Sequence, residues 1–175
     1  MKKIFTNESP LDFKSKFIFI NKRHKNARIP TPAHEGDVGF DLYSLDETDS
    51  WIETHSVCTF RTGIYLADTP EPLVVNGSIC AVPFLKIEGR SGLASKGIFP
   101  VGGIIDPTYR GEISVILFNS RSIAVSIDIE KPIAQLVIYY TCSSMPPSHF
   151  VKFVEIDESS ETERGSDGFG STDIK

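Results

Sequence analysis

Four stretches of this chain combine residue types that meet anions. GRSGLASKG, residues 89–97, sets a cation, a hydroxyl and glycine-exposed backbone N–H groups at a candidate helix start. Such a start receives phosphate oxygens, because the first N–H groups of a helix have no intrahelical partner. The P-loop spacing GxxxxGK[ST] is absent, so a glycine turn with a surface arginine stays an open alternative. AHEGDVGFDLYS, 33–44, places Asp37 and Asp41 four apart around glycines in a loop entering a strand. Each is also a turn former, which is the preferred reading for Asp37. GGIIDPTYRGE, 102–112, predicts a β-hairpin: an apolar strand, a D-P-T-Y turn, then a second strand from Glu112. On that pattern Asp106 is an ordinary turn residue. RGSDGFGSTD, 164–173, joins an arginine, hydroxyls and one aromatic ring in a glycine-rich segment. Five carboxylates stand in the nine residues before Arg164, so a phosphate site there needs Arg164, backbone N–H groups and a metal ion to offset them.

The elements that must position these stretches are strands. KFIFI at 16–20, TFRTGIYLA at 59–67, SICAVPFLKI at 78–87, EISVILFN at 112–119 and PIAQLVIYY at 132–140 are short, β-branched and aromatic, with Gly, Pro, Asn or Asp between them. The spacing predicts one brief helix, Ser91–Lys96, capped by Ser91. Many short strands punctuated by turns predict an all-β sandwich or barrel-like body. The apolar run SVILF predicts strands covered on both faces, by a second sheet or a neighbouring subunit. Asn76-Gly77-Ser78 reads as an Asn-Gly turn rather than a glycosylation site.

Composition bounds the function classes. The chain has 175 residues, 40% hydrophobic, enough for one well-buried domain. Net charge is −5 with no basic block, which argues against polymeric nucleic acid, whose binding rests on arrays of Lys and Arg. Cys58, Cys80 and Cys142 lie far apart and are odd in number, as suits reduced thiols in an intracellular protein, cytoplasmic or nuclear and not secreted. The start has no apolar run behind its charges and no eighteen apolar residues are consecutive, so no membrane span is expected. From about residue 155 the sequence turns acidic, hydroxyl-rich and glycine-rich, unable to offset chain ordering by burial. The expected organisation is an all-β body over 1–154 and a flexible C-terminal arm over 155–175.

In order, GFDLYS, GRSGLASKG, GGIIDPTYRGEISVILFN, KPIAQLVI and RGSDGFGST resemble the five motifs of the trimeric, all-β dUTP pyrophosphatases, the dUTPases, over roughly residues 30–173. The resemblance implies a jelly-roll-like fold and a homotrimer with sites shared between subunits. It further implies Mg²⁺-assisted hydrolysis of dUTP to dUMP and pyrophosphate, which keeps uracil out of DNA and supplies dUMP for dTMP synthesis. By the same resemblance Asp106 is the general base. Arg90, Ser91, Gly92 and Gln135 hold phosphate oxygens, with Arg164, Gly170, Ser171 and Thr172 of an arm that closes over the site and Phe169 stacked on uracil. Asp41 acts on the metal from outside its first shell, through water. The fourteen steps from Phe150 to Arg164 extend to about 45 Å, against a radius of gyration of roughly 15 Å for the body, so the arm can reach a neighbouring subunit.

Selectivity follows from the base and the sugar. Uracil presents an O4 acceptor and an N3–H donor, the reverse of cytosine, so inward-pointing backbone groups of a hairpin accept one and reject the other. A narrow hairpin beside Gly103 would also exclude the 5-methyl of thymine. Tyr109 resembles the family's aromatic under the sugar, where its ring would leave no room for a 2′-hydroxyl; taken alone it equally fits an ordinary strand tyrosine packed in a sheet. One alternative is a dCTP deaminase, a relative with a similar segment around Arg90 and Asp106. Its catalytic Glu would stand where this chain has Ile116. A second alternative is a catalytically silent nucleotide-binding relative. Departures from the family pattern are Gly89 for a proline, Pro107-Thr108 for an acidic pair, and Asp167 and Asp173 in the arm.

Overall fold

The computed structural model describes residues 18–141, 143–145 and 147–149. Its elements, in chain order, are β1 (Ile20–Lys22), β2 (Gly39–Leu42), β3 (Ser50–Ile52), β4 (Val57–Phe60), β5 (Ile64–Leu66), β6 (Leu73–Val75), β7 (Ser78–Ala81), β8 (Pro83–Glu88), α1 (Ser91–Ala94), β9 (Ile98–Pro100), β10 (Ile104–Ile105), β11 (Val115–Asn119), β12 (Val125–Ile127) and β13 (Ala134–Tyr140), with a 3₁₀ turn at Pro147–His149. The all-β expectation holds: among the described residues α1 is the sole α-helix. Every strand pair is antiparallel. The widest sheet has the order β10-β8-β13-β2, and beside it stands β4-β11-β9, with two-stranded sheets β1-β5, β12-β3 and β6-β7.

One apolar cluster joins these sheets. Leu85 and Ile87 of β8, Leu136 of β13 and Leu42 of β2 meet Val115 and Leu117 of β11, Phe60, Ile64, Ile113 and Ile133. The alternation of β8, buried at Pro83, Leu85 and Ile87 and half-buried at Phe84, Lys86 and Glu88, follows from the two-residue period of a strand. Asn119 is wholly buried, and its amide donates to the carbonyls of Ile52, Glu53 and Ile123 while its Oδ1 accepts from the Arg121 N–H. A polar side chain is tolerated there because each of its groups is paired.

Several expected elements differ. Of KFIFI, residues 16 and 17 lie outside the described residues, and of the rest only Ile20 is in a strand, β1. TFRTGIYLA is two strands, because Gly63 (φ 70) turns the chain from one sheet to another; a Cβ there would come within 2.8 Å of the Ala27 Cβ. At this corner the buried Thr62 hydroxyl donates to the Ile113 carbonyl (2.6 Å), replacing a ladder bond. SICAVPFLKI breaks before Pro83, which has no N–H to give to a ladder. The Asn76-Gly77 turn is present, with φ of 49 and 77, and it joins β6 to β7. The expected hairpin at 102–112 is not formed as a ladder. Residues 106–109 do turn, closed by the Tyr109 N–H on the Asp106 carbonyl (3.0 Å), but β10 pairs with β8 while β11 pairs with β4 and β9. Glu112 bridges instead to Tyr65 of β5, and that contact draws the returning chain away from β10.

Among the described residues SVILF is covered on one face only. Val115 and Leu117 are buried, whereas Ile116 is exposed beside Val57, Phe99 and Val101 on the outer face of β4-β11-β9. The boundary at 154 and 155, the whole arm and Cys142 lie outside the described residues.

Candidate functional site

Antiparallel pairing of β2, β13 and β8 brings Asp41, Gln135 and Glu88 level with one another across three strands. The chain leaves β8 through Gly89 into Arg90, whose extended backbone (φ −100, ψ 137) forms the N-cap of α1. The expected Ser91 cap is therefore corrected: Ser91 is the first helical residue, and among the described residues no side chain caps the helix. The first helical bonds are donated by Leu93 and Ala94 to the Arg90 carbonyl (3.1 and 2.9 Å), which leaves the N–H groups of Ser91 and Gly92 ahead of them. Both residues are exposed, and nothing lies within 4 Å of where a Gly92 Cβ would stand.

Arg90 is held by an ion pair to the buried carboxylate of Asp41. Gln135 donates through Nε2 to the Gly89 carbonyl (2.8 Å). Its side chain lies over Gly39, where any Cβ would overlap it, so glycine in GFDLYS serves a close approach. Gly39, Asp41, Arg90 and Gln135 line a cavity of about 910 Å³ with His34, Lys96, Asp128 and Lys131. Sequence reading passed over the two lysines. Lys131 is paired with Asp128 (2.7 Å), holding that carboxyl below its usual range, whereas Lys96 forms no ion pair among the described residues. Asp37 behaves as the turn former it was read to be, accepting the His34 N–H (2.9 Å).

On the sheet face next to Gln135, Lys86 donates to Glu88 (2.6 Å), and the Tyr139 hydroxyl reaches the same oxygen (3.2 Å). The ammonium keeps the Glu88 carboxyl below the ordinary carboxylate range and is itself raised.

Gly103, Asp106 and Tyr109 are not in that cavity. Ile105 pairs with Leu85, so Asp106 leaves β10 at the end of β8 opposite to Arg90. From the strand register Asp106 and Gln135 are roughly 16 Å apart between Cα atoms. Asp106 is exposed, and its carboxylate has no partner among the described residues. Gly103 (φ 104) passes close to Ile87, whose N–H it accepts at 2.9 Å, so a side chain there would meet backbone.

The turn that carries Asp106 is tied down by two residues that motif reading did not single out. Arg110 donates to the carbonyls of Pro107 (2.9 Å) and Tyr109 (3.0 Å) and to the Thr69 hydroxyl (3.0 Å). Glu112 accepts from the Gly63 N–H (2.7 Å), Arg61 Nε (3.0 Å) and the Tyr65 hydroxyl (3.2 Å). Burial pushes the Glu112 carboxyl up, but these three donors outweigh it and hold it below its ordinary value; Arg61 is raised in return. Arg164, Phe169, Gly170, Ser171 and Thr172 lie outside the described residues.

The family model for dUTPase matches residues 25–173. A deoxyuridine 5′-triphosphate nucleotidohydrolase of Alkaliphilus metalliredigens is 37% identical over 161 residues, covering 90% of this chain and 98% of its own. One from Helicobacter pylori strain J99 is 37% identical over 160 residues, covering 90% and 97%. Among solved structures, the dUTPase of Staphylococcus bacteriophage 80alpha with dUpNHpp superposes with a TM-score of 0.64 at 22% identity, over 89% of this chain and 97% of that one. A dUTPase variant from phage phi11 of S. aureus, described with a structural Mg(II) ion, gives 0.58 at 19% identity, over 84% and 99%.

Proposed function

This chain belongs to the dUTPase family, and from that premise we infer that it is a dUTP diphosphatase, hydrolysing dUTP to dUMP and pyrophosphate. The observation that carries the details is the separation of the two half-sites along β8. The cradle of Arg90, Ser91, Gly92 and Gln135 supplies donors for phosphate oxygens, and the Asp106 carboxylate has no partner among the described residues. Roughly 16 Å lies between them, so in this reading one chain's cradle works with a neighbour's turn in a homotrimer. The exposed apolar face of Val57, Phe99, Val101 and Ile116 is a surface that such packing would bury.

In the mechanism, the cradle fixes the triphosphate and the partner's turn sets Asp106 beside the attacking water. The carboxylate takes the proton as the water oxygen bonds to phosphorus. The bridge between the α- and β-phosphoryl groups breaks, and pyrophosphate carries away the electron pair. Asp41 orients Arg90 through their ion pair. Among the described residues β10 is an edge strand whose second edge is unpaired, so its N–H and C=O groups are available to read O4 and N3–H of uracil. Tyr109 packs under the deoxyribose, and Ile116, at the position that would serve a deaminase, has no proton to move.

Members of the family use a divalent metal. Among the described residues no three His, Cys, Asp or Glu side chains are grouped to hold one, and the Asp41 carboxylate is already engaged by Arg90. That donor set fits Mg²⁺ held mainly by phosphate oxygens and water, with Asp41 reached through water. When bound, the ion supplies neutralisation of the phosphate charge. The arm, with Arg164, Ser171 and Thr172 on the phosphates, Gly170 beside them and Phe169 on uracil, completes this reading; base stacking of that kind is worth about 1–3 kcal/mol. Removal of residues 160–175 is therefore expected to leave a folded protein with little dUTP hydrolysis.

The direct test is incubation with dUTP, dCTP, dTTP and UTP plus Mg²⁺ with products resolved. Pyrophosphate from dUTP alone is expected. Ammonia from dCTP would mean deamination, and no product would mean a silent binder.

A further inference from the structure

We propose that Gly111 and Glu112 are positioning residues for sugar discrimination: together they fix the ring of Tyr109, and through it they set the preference for 2′-deoxyribose over ribose. The proposal rests on the reading of Tyr109 as the residue under the sugar. Three observations carry it. The Tyr109 hydroxyl donates to the Glu112 carbonyl (3.2 Å), which fixes the far end of the ring. The ring lies directly on Gly111; a Cβ there would overlap the Tyr109 hydroxyl and Cζ and stand 2.8 Å from Cε2. The Glu112 carbonyl is itself immobilised, because its side chain, only 15% exposed, is held by Gly63, Arg61 and Tyr65, and the next N–H, of Ile113, donates to the Ile64 carbonyl (2.8 Å).

The near end of the ring is fixed as well. Arg110 binds the Tyr109 carbonyl, and the Tyr109 N–H closes the turn on Asp106. What remains is a tyrosine 43% exposed as a residue, able to meet a ligand but with little freedom to retreat from it. Rejection of a single hydroxyl by contact depends on that rigidity, since a ring that can shift by about 1 Å makes room for the extra atom. Gly111 is thus required for a close approach. Its backbone is outside the left-handed region, so alanine is accommodated by the main chain and the strain falls on the Tyr109 ring.

The test compares kcat/KM for dUTP and UTP in four full-length proteins: wild type, Tyr109→Ala, Tyr109→Phe and Gly111→Ala. Tyr109→Ala sets the full loss of discrimination. Gly111→Ala is expected to lower the dUTP-to-UTP ratio about tenfold while Tm stays within a few degrees. Tyr109→Phe, which removes only the tether to Glu112, is expected to lower it several-fold, and this conservative variant covers the case in which the alanine does not fold. If Tyr109→Ala alters the ratio and the other two leave it unchanged, the positioning role is wrong although the sugar contact stands. If Tyr109→Ala itself leaves the ratio unchanged, the sugar contact is wrong and the proposal falls with it.

Discussion

The phosphate cradle and the Asp106 turn solve opposite problems. In the cradle most charged groups are spent on one another: Asp41 holds Arg90 and Asp128 holds Lys131, with Lys96 alone of the cavity's lysines outside an ion pair among the described residues, and strand pairing across β2, β13 and β8 sets the geometry. In the turn the scaffold is rigid, held by Arg110 and Glu112, yet the carboxylate it presents has no partner among the described residues. A group that must bind a polyanion benefits from fixed direction more than from surplus charge. A group that must take a proton from water has to be left with a lone pair to do so.

Variants sharpen this contrast, the largest effect first. Asp106→Asn removes the proton acceptor and leaves the turn, whose closing bond is backbone to backbone. A fall in kcat of about 10²–10⁴ with unchanged dUTP binding is expected; kcat near wild type in a single-turnover assay would remove Asp106 as the base. Asp41→Asn frees Arg90 from its ion pair. Loss of a charge-assisted hydrogen bond of about 1.5–3 kcal/mol should raise KM about tenfold with a smaller change in kcat. A lower KM in steady-state kinetics would mean that the carboxylate repels the substrate instead of aiming the guanidinium.

Glu112→Gln is the mildest and loosens the scaffold behind the Tyr109 turn. The Glu112 carboxyl is held below its ordinary value of 4.5, so the native state binds fewer protons at this site than the unfolded chain. Its stabilisation is fully present above about 4.5 and is lost as pH falls through the lower, folded value. The variant should melt several degrees below wild type at pH 7, and the gap should close in acid. A constant gap across the pH series would assign the effect to packing.

The two regions were also unequally legible. GFDLYS, GRSGLASKG and KPIAQLVI announced the cradle, because glycine at 39, cation at 90 and amide at 135 are identities that the contacts demand. The turn was found, but its pairing was misread. Nothing local in GGIIDPTYRGE shows that Glu112 will find three donors about fifty residues upstream, Arg61 and Gly63 in the connection between β4 and β5 and Tyr65 on β5, and leave β10 an edge among the described residues. Lys96 and Lys131 were missed for the same reason: their places in the cavity depend on tertiary placement. The strands β3 and β12, three residues each, are too short for periodicity to show.

The measurement that bears most directly on a site divided between chains is complementation. Asp106→Asn and Arg90→Ala are each expected to be nearly inactive alone. Mixed by co-refolding in equal amounts, they should regain activity at about a quarter of the sites, the share in which an intact turn from one chain meets an intact cradle from the next. No recovery, with mixed assemblies demonstrated, would place both halves in a single chain and contradict the account.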